Sequence, residues 1–179
     1  MMLPIDNFFW AAALWPDRVA VEIADADRCQ QISYAALADM TRAMATGLQA
    51  IDPQPQSRVG ICAYNNFEHL LAWLSCFAAG KVWVPLNPRN GLEELNRIID
   101  VTDPSVIIFD ADCADKFDCK TAQLISANGT HKRADDHIDD MLDRYKGAHP
   151  QTYQVSPDDL QAIKSVSYTH LTLPTTAYV

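Results

Sequence analysis

Positive charge is scarce in this sequence. Lys and Arg number 14 against 23 Asp and Glu, which leaves a formal net charge of −9. That balance argues against a nucleic-acid backbone or an anionic membrane surface as partner, because both would repel it. Long apolar runs are missing too. None approaches the roughly 20 residues that a bilayer-spanning helix needs, so no transmembrane segment is expected. Met1–Leu14 lacks a basic stretch and carries Asp6, so it does not read as a signal peptide. The five cysteines are odd in number and include no Cys-x-x-Cys pair. Reduced thiols in a cytoplasmic protein are the expectation.

What is present is apolar patterning. At 179 residues and 49% hydrophobic, the chain is long enough to bury one core. Three short apolar runs, Val59–Ala63, Val82–Pro85 and Val106–Phe109, read as buried strands. Between the first two, Phe67, Leu70, Leu71, Leu74, Phe77 and Ala78 recur at helical spacing. Asn65 or Asn66 can cap that helix, and Gly80 stands where a glycine in left-handed backbone is wanted. Between the last two runs, Leu92, Leu95, Ile98 and Ile99 share one helical face within Leu92–Val101. Strand, helix, strand, helix, strand with short connections predicts an α/β fold: a mostly parallel sheet covered by helices.

The same stretch carries a family resemblance. Ala79-Gly80-Lys81-Val82-Trp83-Val84-Pro85-Leu86-Asn87-Pro88 resembles the "A-G-x-x-x-V-P-L-N-P" segment of the AMP-forming adenylating enzymes. Upstream, Ile32-Ser33-Tyr34-Ala35-Ala36-Leu37 is similar to that superfamily's helix start. The order of PDRVAV, ISYAAL, a strand, the Val-Pro-Leu-Asn-Pro segment and a strand ending in IIFD fits as well. The resemblance covers about Asn7 to Ile163. It implies a partial N-terminal domain of an acyl-CoA synthetase, or else of a peptide-synthetase adenylation domain. The family activates a carboxylate with ATP and Mg²⁺ to an acyl-adenylate, then passes the acyl group to a thiol, usually coenzyme A. The implied partner is a small-molecule carboxylate, expected to be a fatty acid, which would place the parent in fatty acid metabolism. Outside that resemblance, a non-enzymatic α/β binding module is the competing reading.

The flanks read more simply. Asn7–Leu14 is a short apolar helix in which Trp10 and the following Trp15 are taken as packing residues. Val19–Ile23 and Gln30–Ile32 form the arms of a hairpin turning at Asp25-Ala26-Asp27. Ser33 caps a helix over Tyr34–Ala50 with Leu37, Met40, Met44, Ala45 and Leu48 on its apolar face. Beyond Asp110, a polar helical piece is expected over Asp112–Gln123 and a short strand at Leu124-Ile125. A loop at Asn128–Arg133 and a helix over Ile138–Lys146 follow. Asn128-Gly129-Thr130 matches a glycosylation sequon and reads as incidental.

Four groups of polar residues call for a decision between chemistry and structure. Tyr34 reads as a helix-start residue packing on the sheet rather than a ligand contact. Asn65, Asn66, Glu68 and His69 read as a helix N-terminus, where Asn caps and Glu suits the dipole. Asn87 and Arg89 lie at the carboxyl end of a strand, where open α/β sheets place ligands, yet Pro88 and Asn90-Gly91 make this a turn first. Cys113, Cys119, His131 and His137 form a C-x5-C-x11-H-x5-H array, but the cysteine pair is wider than zinc sites use. They read as scattered surface residues.

Ser156-Pro157-Asp158-Asp159-Leu160-Gln161-Ala162-Ile163 resembles the family's approach to its phosphate-binding loop, which is rich in Gly, Ser and Thr and followed by Pro-Lys-Gly. Val166–Thr175 instead contains no Gly and no Lys. It resembles the translated read-through of a sequencing-library adaptor. Residues 1–165 are therefore expected to be the partial domain, and 166–179 a non-native tail. No catalytic, cofactor-binding or metal residue is assigned, and the chain alone is expected to be inactive.

Overall fold

The computed structural model describes residues 3–25, 28–154, 156 and 158–165. The chain opens with α1 (Pro4–Leu14) and a hairpin of β1 (Val19–Asp25) and β2 (Arg28–Ser33), paired antiparallel. α2 (Tyr34–Ile51) starts where the Ser33 hydroxyl accepts the Ala36 amide at 3.2 Å. Then come β3 (Arg58–Cys62), α3 (Phe67–Ala78), β4 (Val82–Pro85), α4 (Leu92–Thr102) and β5 (Val106–Phe109). β6 (Gln123–Ser126), β7 (Asp136–His137) and α5 (Ile138–Arg144) follow.

The five later strands form one parallel sheet in the order β4-β3-β5-β6-β7. The three apolar runs are therefore neighbours, with β3 central to them. Period-two alternation divides their side chains between two faces. Val59, Ile61, Ala63, Val106, Ile108 and Ile125 pack with α1, α2, α3 and α5. Cys62, Val84, Leu86, Ile107, Phe109 and Leu124 pack with Leu95, Ile98 and Ile99 of α4. All four residues of β5 are buried, as two covered faces require.

Two close approaches explain two glycines. Gly80 has φ +70° just past α3, and Tyr153 packs against it. Gly47 lies where α2 meets Met141 and Tyr145, so a side chain there would push the Met141 methyl aside and crowd the Tyr145 ring. The buried Lys81 ends this corner: its ammonium donates to the carbonyls of Asp52 and Gln54 and to the Ser57 hydroxyl. Burial pulls its pKa below the ordinary lysine value, against the pull of Asp52.

Several expectations are corrected. Asp112–Gln123 is not a helix: it holds a single 3-10 turn, Ala111–Cys113, then irregular backbone until β6 begins at Gln123. Its apolar residues Cys113, Ala114 and Phe117 are buried from the 3-10 turn and the irregular backbone rather than from a helix. Leu92 is 49% exposed, because it begins α4 before the helix reaches the sheet. Trp10 and Trp15 are not core residues. They are 57% and 42% exposed and lie edge-to-face against each other at 6.3 Å. Tyr34, the first residue of α2, stands beside Phe8 of α1 with ring centroids 6.4 Å apart.

After α5 the chain returns to the opposite edge of the sheet. Trp83 of β4 donates to the Gln161 carbonyl at 3.0 Å, and Ile163 donates to the Trp83 carbonyl at 2.9 Å. Ala162 thus bridges β4 in parallel. The tail 166–179 lies outside the described residues. Among those residues, no helix is long and apolar enough to cross a membrane.

Truncation of Ile108, buried on the α2–α3 face of β5, tests this core. Ile108→Ala should lower unfolding free energy by about 2–5 kcal/mol in urea titrations, as for full burial with little room to collapse. A loss below about 1 kcal/mol would contradict the two-sided packing.

Candidate functional site

Open α/β sheets bind ligands beyond the carboxyl ends of their strands, where neighbouring connections leave in opposite directions. Here that switch lies between β3, whose chain turns toward β4, and β5, whose chain turns toward β6. The residues past the two strand ends meet there.

Asp110, 2% exposed, follows β5 directly. Its carboxylate accepts the Tyr64 amide at 2.7 Å and the Asn66 side-chain amide at 3.0 and 3.1 Å. Its own amide donates to the Cys62 carbonyl at 3.1 Å. Asn66 in turn caps α3, its Oδ1 accepting the His69 amide at 2.8 Å. A negative charge in front of a helix N-terminus is electrostatically favoured. The sheet's own carboxylate therefore takes the amides that an anionic ligand would otherwise use.

Lys116 closes the neighbouring corner. Its ammonium donates to the Tyr64 hydroxyl at 2.9 Å and to the Pro88 carbonyl at 2.7 Å, tying the turn after β3 to the turn after β4. The Tyr64 hydroxyl holds the Lys116 pKa above the usual lysine value. Asn128, beyond β6, accepts the Ala111 amide at 2.8 Å and pins the turn that follows β5.

The polar residues singled out from sequence divide as follows. Asn66 and Glu68 belong to the first turn of α3 and its cap. His69 sets its Nδ1 3.2 Å from the carbonyls of both Ala63 and Tyr64, so the ring is held against the turn. With Asn65, Asn66, Leu70, Trp73 and Trp83 it lines an open cleft of ≈ 390 Å³ beside β4. Asn87 accepts the Arg89 amide at 3.0 Å, the side-chain turn its position suggests, and Arg89 is exposed.

The C-x5-C-x11-H-x5-H array is corrected in part. Cys113 is a core residue, not a surface one, packed with Cys62, Phe109 and Phe117. His131 stands edge-on to Phe109 at 5.8 Å, and Cys119 is half-buried beside Thr121. Among the described residues, no three His, Cys, Asp or Glu side chains converge on a metal site.

Sequence reading missed Asp110 and Lys116 as organisers of this edge. For Asp110 a signal existed: an aspartate directly after the buried run Val-Ile-Ile-Phe has its side chain next to the strand end. For Lys116 none did, because its two partners lie 52 and 28 residues away. The edge is organised by hydrogen bonds within the chain. Its deep amide donors are already bonded to Asp110, so these residues do not fit the phosphates of ATP.

A parallel sheet of this order, covered by helices on both faces and with its switch point between β3 and β5, is an open α/β fold. The family model of the AMP-binding enzymes matches residues 8–169, and the chain belongs to that family. A linear gramicidin synthase from Brevibacillus parabrevis is 30% identical over 114 residues, covering 64% of this chain and 2% of that protein. The 3-methylmercaptopropionyl-CoA ligase of Ruegeria lacuscaerulensis is 35% identical over 79 residues, covering 44% of this chain and 15% of the ligase. The Klebsiella oxytoca NpsA N-terminal subdomain in complex with 3-hydroxybenzoyl-AMSN superposes with a TM-score of 0.71 at 20% identity. That match covers 91% of this chain and 37% of that one and shows the fold. The chain thus spans a small share of the relatives' length.

Replacing Asp110 tests its role at the switch point. Asp110→Ala leaves the Tyr64 and Asn66 amides without their acceptor and should cost about 2–3 kcal/mol of unfolding free energy. Asp110→Asn keeps one acceptor and should lose less. Equal stability of both variants and the parent in chemical denaturation would show that the carboxylate is not organising the turn.

Proposed function

We propose that the intact polypeptide of which this chain is a part activates a small carboxylic acid with ATP, forming an acyl-adenylate and pyrophosphate. The family match over residues 8–169 carries this reading. The acyl group then passes to a thiol; in the acyl-CoA synthetase version the acid is a fatty acid and the thiol is coenzyme A. Similarity to a CoA ligase supports that version. A peptide-synthetase adenylation domain is the second reading, and similarity to a gramicidin synthase supports it equally. In either version Mg²⁺ would offset phosphate charge during attack on the α-phosphate.

In this proposal residues 1–165 are a partial adenylating domain and 166–179 a non-native tail. The described residues supply a scaffold: β3, β4 and β5 set the turns at the carboxyl edge, and Gln161–Ile163 leads the chain along β4. The five free thiols support a cytoplasmic setting. The acidic balance of −9 supports a small-molecule partner over nucleic acid.

Two measurements test this reading. Purified chain, incubated with ATP, Mg²⁺, coenzyme A and a panel of fatty, aryl and amino acids, should release no pyrophosphate above the enzyme-free background. Turnover well above background would overturn the scaffold assignment. Separately, the source DNA read past codon 165 should encode a Gly/Ser/Thr-rich loop with Pro-Lys soon after Ile163. Genomic DNA encoding Val166–Val179 as they stand would remove the tail proposal.

A further inference from the structure

The cleft beside β4 has two unlike walls. His69, Leu70 and Trp73 come from α3, and Trp83 comes from β4. The Trp73 and Trp83 rings meet edge-to-face at 6.0 Å, and Phe77 stands edge-to-face with Trp73 at 5.1 Å. Both tryptophans are half-buried, and their indole nitrogens are buried with no hydrogen-bond partner among the described residues. A buried donor without an acceptor is rare in a finished interior. The opening, ≈ 390 Å³, is of a size that suits a small molecule.

His69 supplies the polar end. Its Nδ1 lies 3.2 Å from the carbonyl oxygens of both Ala63 and Tyr64. Carbonyl oxygens only accept, so Nδ1 carries the proton. In the neutral ring Nε2 then keeps its lone pair, on the side of the ring away from those carbonyls. The described hydrogen bonds of the ring both run through Nδ1, so Nε2 is the nitrogen that His69 offers to the cleft. On the other wall, the Lys164 ammonium stands over the Trp83 ring at 5.4 Å. It already takes up that ring's attraction for cations, so a positively charged ring is disfavoured there.

We propose that this cleft binds a small hydroxyaryl compound, its flat ring against Leu70, Trp73 and Trp83 and its hydroxyl donating to Nε2 of His69. Three features select that class. Aromatic walls favour a flat ring, in offset or edge-on contact, over a saturated ring of similar size. The fixed tautomer makes His69 an acceptor, so it selects a ligand that donates. A hydroxyl oxygen also accepts, and an acceptor is what the two indole N–H groups lack. The site needs no nucleotide and stands apart from the adenylation reading.

The test follows the indole N–H signals of the four tryptophans in the whole chain by proton–nitrogen NMR, assigned through single Trp→Phe variants. Phenol, anisole or cyclohexanol is added in turn. Phenol should shift the Trp73 and Trp83 signals saturably, in about the millimolar range, and leave Trp10 and Trp15 in place. Anisole keeps the ring without the donor, and cyclohexanol keeps the donor without the flat ring. Each should bind about three- to tenfold more weakly, as for the loss of one hydrogen bond or one aromatic contact. His69→Phe keeps a flat side chain and should abolish the preference for phenol over anisole. If that variant does not fold, the ratio of the two affinities in the parent chain still decides. No saturable shift, equal affinity for phenol and anisole, or shifts confined to the exposed Trp10 and Trp15 would overturn the proposal.

Discussion

β3 is the constraint on which the rest of this structure depends. It pairs in parallel with β4 on one side and β5 on the other, and its side chains serve both helical layers. Gly60 sits at its centre, opposite Val84 and Ile107, with Leu86 pressed close. Every other element is placed by reference to it. α3 carries the chain from β3 to β4, α4 returns it to β5, and the two helices cover opposite faces because the crossovers keep one hand. Since β3 and β5 are buried on both faces, their apolar surface is withdrawn from water more completely than in any half-covered strand.

That arrangement also creates the polar problem that Asp110 solves. Two parallel strands ending side by side leave backbone amides beyond their last ladder bonds, and a buried amide must be satisfied. In many α/β sheets a ligand does this at the switch point. Here a carboxylate from the chain itself does it, bonded to Tyr64 and Asn66 and facing the start of α3. The carboxyl edge is thereby a rigid platform, with Lys116 and Asn128 fixing its flanking turns.

The family relation and the fold agree on scale. A match to the AMP-binding enzymes over residues 8–169 and a solved subdomain covered to 37% describe one part of a longer architecture. Relatives of both the peptide-synthetase and CoA-ligase kinds share this part. Its described residues form the core and the carboxyl edge.

The sequence by itself determined the elements whose cause is local. Apolar runs of four or five residues marked the three strands, helical spacing marked α2, α3 and α4, and Ser33, the pair Asn65-Asn66 and Gly80 marked helix ends, because caps and periodicity act over a few residues. It misread Asp112–Gln123 as helix, since polarity alone does not separate a helix face from a loop. Only the tertiary structure decided that Cys113 is core, that Trp10 and Trp15 are not, and that Asp110 and Lys116 organise the carboxyl edge. The partners of Asp110 and Lys116 lie many residues distant, and burial at the other sites is set by how whole layers stack rather than by neighbouring residues.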